Sequence, residues 1–196
     1  RKSLETLYRH RNPLWDRGVG MSQPSTLTID PLHAYFLGVL NVWRREAVWF
    51  LFSSGVYGGR ACNDESLTTC CLVFRRLLFQ WYSSRAARFP AEDLTRLCDL
   101  VPSMMGSNAS RKCKTKAAET WSLSLFVMDE LQRLRGHLES DCARYLQAGR
   151  CLERIVLIWR ENPWVMSAAA IEDFWDPLKT NSRAYQASAR AKQQAM

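Results

Sequence analysis

Few residues of this chain have types and spacing that could do chemistry, and the first of them lie together in Thr28-Ile29-Asp30-Pro31-Leu32-His33. An aspartate three residues ahead of a histidine shares one side of a helical turn with it. Asp30 there can accept hydrogen bonds from the open N–H groups of the first turn, and Pro31 supplies the fixed φ suited to the first helical position. A cap therefore accounts for Asp30, and a site role is weighed beside it. For His33, a partly buried ring bonded to Asp30 stands against a metal ligand, and no second ligand is visible nearby. His10, His33 and His137 are the only imidazoles, and the chain lacks Gly-x-Ser-x-Gly, a Gly-rich phosphate loop and His-Glu-x-x-His. What remains is carboxylate chemistry, in which acids from separate elements hold two Mg²⁺ ions on a phosphodiester, and it needs at least three convergent acids.

A second group is cationic. Arg111-Lys112-Cys113-Lys114-Thr115-Lys116 is the densest basic run. It can hold backbone phosphates without regard to base sequence, or stand as the solvated start of a helix. Glu119, just downstream, reads as a helix-start carboxylate favoured by the dipole. It also shares a helical side with Leu123 and Phe126, where a lone carboxylate is costly unless paired or metal-bound.

These residues need elements to hold them. The chain has 196 residues, 47% of them hydrophobic, enough for one domain with a substantial core or for part of a larger fold. Lys and Arg number 27 against 19 Asp and Glu, and the resulting net charge of +8 makes a polyanion a reasonable partner. The cysteines at 62, 70, 71, 98, 113, 142 and 151 contain no Cys-x-x-Cys pair, which fits reduced, mostly buried thiols. Asn41, Arg44, Arg45 and Glu46 interrupt the longest apolar stretch, Ala34 to Phe52, so it reads as a buried helix and no membrane partner is expected.

Periodicity predicts an all-α architecture, an irregular bundle of about six helices. Residues 1–28 read as an extended lead-in, 29–176 as the helical domain and 177–196 as a polar tail with little to bury. Helices are expected over 31–53, 66–88, 91–101, 112–138 and 141–160, with a last one from 167 to Pro177. Leu67, Cys71, Phe74, Leu78 and Trp81 make one apolar stripe, and Trp121, Leu125, Met128, Leu131 and Leu134 make another. Trp43, Trp81, Trp121 and Trp159 sit at helical spacing and read as core rather than as a base-stacking platform. With Arg1 in first place and no terminating signal at the far end, the expectation is a fragment of something longer.

The stretch from Thr28 to Val39 resembles the Asp-x-x-His-x-x-x-Leu-Gly-Val segment of transposon-encoded proteins related to the CACTA and hAT transposases. Lys114-Thr115-Lys116-Ala117-Ala118-Glu119-Thr120 is similar to a Lys-x-Lys-x-x-Glu/Asp helix start found downstream in the same kind of reading frame. An aromatic-basic stretch like Phe79-Gln80-Trp81-Tyr82 lies between them in both. The resemblance implies an RNase H-like catalytic core in the intact protein, of which this chain is a fragment or the helical insertion region. It further implies DNA as partner, Mg²⁺ as cofactor of the intact enzyme and a nuclear location. Asp30 and His33 would be the C/DxxH pair beside the active site rather than metal-binding acids, and Glu119 the third acid. The first two acids of that family lie on upstream strands, which the 29 residues before Asp30 do not supply, so this chain is not expected to cut DNA or bind metal by itself. The competing class is a non-catalytic helical interaction or scaffold module, a decayed or repurposed transposon relic in which Asp30 is a cap and the basic residues only solubilise.

Overall fold

A computed structural model of the chain describes residues 32–138 and 140–161, together with Ala169 and Asp173. The lead-in, Asp30, Pro31 and the polar tail lie outside the described residues. The helix expected from 167 is described only at Ala169 and Asp173, both helical. The architecture is all-α. A π-helical segment, Leu32–Val39, runs without a break into α1, Leu40–Ser53, and is followed by α2, Leu67–Arg88, the short α3, Pro102–Met105, α4, Ala117–Leu134, and α5, Ser140–Glu161. That makes five α-helices among the described residues, with one isolated antiparallel bridge, Gly106 to Arg111, and no strand.

The centre is α4, which packs against α1, α2, α5 and the π-helical segment. Every residue from Thr120 to Met128 is buried, and a helix covered on all sides has to satisfy its polar groups internally. Ser124 Oγ donates to the Thr120 carbonyl at 2.6 Å, and Ser122 Oγ donates to the Thr95 carbonyl at 2.5 Å. Glu130 accepts from the Tyr57 hydroxyl at 3.0 Å and from both Arg133 nitrogens at 2.8 and 2.9 Å. Around α4 runs a chain of edge-to-face rings, Phe52, Tyr57, Phe74 and Phe126, with centroids 5.1 to 5.9 Å apart. The apolar stripes expected on α2 and α4 face this core, with Trp81 half-buried at its margin. Trp43 and Trp121 are buried and Trp159 packs on the core's edge, as their helical spacing predicts. No described helix is long and apolar enough to cross a membrane.

Two expected elements differ. Residues 92–101 are not a helix, although Leu94, Leu97 and Leu100 are spaced for one. After Phe89 and Pro90 end α2, Arg85 grips Glu92 through two nitrogens at 2.5 and 2.9 Å and turns the chain back. The segment's backbone then bonds to side chains of other elements: Leu97 N–H donates to the Tyr82 hydroxyl at 3.1 Å, and the carbonyls of Thr95 and Leu100 accept from Ser122 and Arg75. Leu97 and Leu100 are buried without any helix. Tertiary contacts here outweigh local periodicity. The second difference lies at 112–116, expected as a helix start, where the chain is extended and α4 begins only at Ala117. Gly106 sets this up: its φ of 79° ends α3, and a Cβ there would stand 2.2 Å from the Ser110 carbonyl oxygen.

α5 crosses close to α1 and α4 at Gly149, where a Cβ would meet the Trp43 ring at 2.4 Å and Met128 Cγ at 2.9 Å. Gly149→Val forces these apart and is expected to lower stability by about 1–3 kcal/mol in urea unfolding.

All seven cysteines are free thiols, and those at 62, 70, 71, 113 and 142 are buried. Burial pushes Cys71 up to about 11. Desolvation leads the same rise at Cys70, also to about 11, with the neighbouring Cys62 thiol adding to it. Between the ordinary thiol range near 9 and 11 the unfolded chain holds fewer protons than the folded one, so stability is lost as pH rises through that window. Unfolding midpoints measured from pH 8 to 11 are expected to fall, with a shallower fall in Cys71→Ala.

Candidate nucleic-acid interface

Between Arg111 and Ala117 the chain alternates a lysine with a less polar residue, and in extended backbone such residues point to opposite sides. Cys113 is buried and Thr115 half-buried on the inner side, while Lys112, Lys114 and Lys116 are exposed on the other. The segment is tied down along its length. Its N–H groups at Lys112 and Lys114 donate to the Met105 and Met104 carbonyls at 2.7 and 3.0 Å, and the Trp49 indole donates to the Lys112 carbonyl at 3.0 Å. On a helix these lysines would splay around the axis; extended, they form one row with steps of about 6.6 Å. That step is close to twice the rise of about 3.4 Å per phosphate along one strand of duplex DNA.

Lys112, Lys114 and Lys116 are the only lysines between residues 32 and 161. The ion pairs among the described residues use arginine throughout, at 45, 85, 133, 144 and 154. The planar fork of arginine suits fixed carboxylate pairing, whereas lysine is a mobile point charge. Arg111 departs from the row. Its guanidinium lies 5.4 Å from the Trp49 ring centroid and donates to Asn108 Oδ1 at 3.3 Å, so it covers the core as well as adding charge.

Beneath the row sits Arg44, with no exposed surface. It lies on the buried side of α1, four residues after Leu40 and three before Ala47. Its guanidinium donates to the Cys113 carbonyl at 2.6 Å, to Asn41 Oδ1 at 2.5 Å, to Thr120 Oγ1 at 3.2 Å and to the Thr115 hydroxyl. Among the described residues its Nε has no partner and no carboxylate comes within ion-pair distance. Burial pulls the guanidinium below its ordinary value, and electrostatic interaction with Cys113 and Glu119 opposes this. The Cys113 thiol is itself pushed up by burial, with Arg44 and Arg45 acting in the opposite direction. A cation in this low-dielectric position adds to the potential over the lysine row.

The residues singled out in the sequence are not drawn into one centre. Asp30 lies outside the described residues. His33 is exposed on the π-helical segment. Glu119 is half-buried in the first turn of α4, where its carboxylate accepts from the Lys116 N–H at 2.8 Å. This is the acidic half of a capping box, because a lysine side chain has no acceptor to make the other half. A two-Mg²⁺ centre needs several convergent oxygens, whereas Glu119 is a single carboxylate engaged as a cap between lysines. No group of three or more His, Cys, Asp or Glu that could hold a metal occurs among the described residues. Among the described residues, then, no donor set for the implied Mg²⁺ is assembled around Glu119.

Arg44 is the member of this arrangement hardest to see in the sequence, although its place beside the 40, 43, 47, 51 pattern marks it as inward-facing. The lysine alternation at 112, 114 and 116 was the signal for an extended segment. No family model matches this chain, and no match emerges among the curated proteins or the solved structures.

Replacing Arg44 tests its part in this arrangement. Arg44→Ala removes the donors for Cys113 O, Thr115 and Thr120 and leaves a cavity, with an expected loss of about 2–4 kcal/mol in chemical unfolding. Arg44→Met fills the space with no charge to seal, so its loss is expected to be smaller.

Proposed function

We propose that this chain is a transposase-like helical segment of a mobile-element protein and that it binds DNA through the row Lys112, Lys114 and Lys116. The observation that carries this reading is the alignment, on one side of an extended segment, of three lysines that make no ion pair among the described residues, above the buried charge of Arg44. A net charge of +8 supports it, and the resemblance around Asp30, His33 and Glu119 supplies the class. Binding of this kind is positional: it grips phosphates in any sequence and weakens as salt rises. Strand cleavage and Mg²⁺ belong to the intact protein in this reading, and nuclear location follows from its class.

One observation favours a second reading. Glu119, the sole candidate for a catalytic acid, is engaged as the cap of α4, which suits a non-catalytic helical module descended from such a protein. The two readings differ in whether the longer protein cuts and in whether the basic residues hold DNA or only solubilise.

Duplex affinity measured against salt tests the row. The wild-type chain is expected to give a steep negative dependence of log K on log salt, and Lys112→Ala/Lys114→Ala/Lys116→Ala to flatten the slope by about 2.7, at roughly 0.9 per phosphate contact. No binding at low salt, or a slope near zero, removes nucleic acid as the partner.

A further inference from the structure

α2 buries one stripe, Leu67, Cys70, Cys71, Phe74, Leu78 and Tyr82, and leaves the opposite side open. There Leu72, Arg75, Arg76, Phe79, Gln80 and Ser83 line a shallow groove along the helix. Leu72 and Phe79 are 48% and 40% exposed, large values for apolar side chains at rest on a surface. Across its 22 residues α2 carries four arginines and no Asp or Glu. Arg75 is held by the Leu100 carbonyl at 3.4 Å, whereas Arg76 and Gln80 have no hydrogen-bond partner among the described residues.

We infer that this face of α2 enters the major groove of duplex DNA and reads base edges, with Arg76 and Gln80 as the reading side chains. The inference rests on the DNA-binding proposal and adds a second surface with a different role, in which the lysines hold phosphates and α2 supplies sequence preference. Three features commit the face to this occupant. Its charge is wholly positive, as a polyanion requires. A guanidinium fits the O6 and N7 acceptors of guanine, and a primary amide fits the N6 and N7 of adenine, while Leu72 and Phe79 can cover thymine methyls. The face from Leu72 to Ser83 is about 16 Å long on a cylinder about 10–12 Å across, and the major groove is about 12 Å wide. A second copy docked symmetrically on the same face would set Arg75 and Arg76 against their own kind. An acidic protein helix would meet only two apolar anchors in three turns.

Selection from a randomised duplex pool with the full chain tests this, using Gln80→Ala and Arg76→Ala. Both side chains are exposed, so the fold is retained. The wild type is expected to enrich a short motif. Gln80→Ala should lose about five- to a hundred-fold of preference at one base pair with its salt slope unchanged, and Arg76→Ala should do the same at a neighbouring pair. A motif that survives both substitutions overturns the inference and gives the face to another partner, such as an acidic protein. Duplex binding with no enriched motif also overturns it, as does an Arg76→Ala loss uniform across sequences with the slope reduced by about one. In those cases the lysine-row proposal stands. Failure of the wild type to bind any duplex at low salt takes away that proposal, and this inference with it.

Discussion

A guanidinium sealed from water, with no carboxylate within ion-pair distance among the described residues, has to be satisfied by neutral oxygens, and Arg44 draws them from three stretches of chain. Asn41 comes from its own helix, Cys113 O and Thr115 from the extended segment, and Thr120 from the first turn of α4. The effective penalty for burying an ion is several kcal/mol, so each oxygen is bound to its place by the cost of leaving the charge without it. This explains why the chain stays extended up to Lys116. Were α4 to start at Lys112, the Cys113 carbonyl would turn along the helix axis to its i+4 partner and away from Arg44. The delayed helix start, the inward-facing Thr115 and the outward-facing lysines are one arrangement.

The rest of the core is built to let α4 pass through its middle. A helix buried on every side loses the water that would serve its hydroxyls, and Ser122, Ser124 and Thr120 instead bond to carbonyls of the same helix or of the 92–101 segment. Tyr82 links these pieces, since its hydroxyl lies 3.2 Å from Ser122 Oγ and accepts from Leu97 N–H. The irregular segment is thus held by polar side chains of α2 and α4 acting in place of the internal ladder a helix would provide.

The long helices were legible because their apolar residues recur at steps of three and four over five or six turns, as in Leu67, Cys71, Phe74 and Leu78. The segment at 92–101 was not, since Leu94, Leu97 and Leu100 keep a spacing that serves equally for a helix or for an irregular strip laid on a core. What decides between them is Tyr82, Ser122 and Arg85, which lie outside the segment on α2 and α4. The candidate site was half legible. The basic run at 111–116 was visible as composition, but its meaning depends on backbone direction, and that depends on Arg44, some seventy residues earlier. Glu119 was visible as an acid near a helix start, and capping is the role in which it is found.

The distribution of acids completes the electrostatic picture. Glu92 and Asp129 both engage Arg85, and Glu153 sits near enough to feel all three, with burial raising its own proton affinity. Glu130 serves Arg133, Asp141 serves Arg144, Glu46 serves Arg45, and Asp64 accepts from the Asn108 N–H at 2.8 Å. These carboxylates are thereby committed to arginines or backbone, Glu119 caps α4 beside the lysine row, and α2 has no acid of its own. Surface ion pairs of this kind contribute little to stability, but they decide where charge is left over. These pairings take up Arg45, Arg85, Arg133 and Arg144, whereas Lys112, Lys114, Lys116 and, on α2, Arg76 make no ion pair among the described residues.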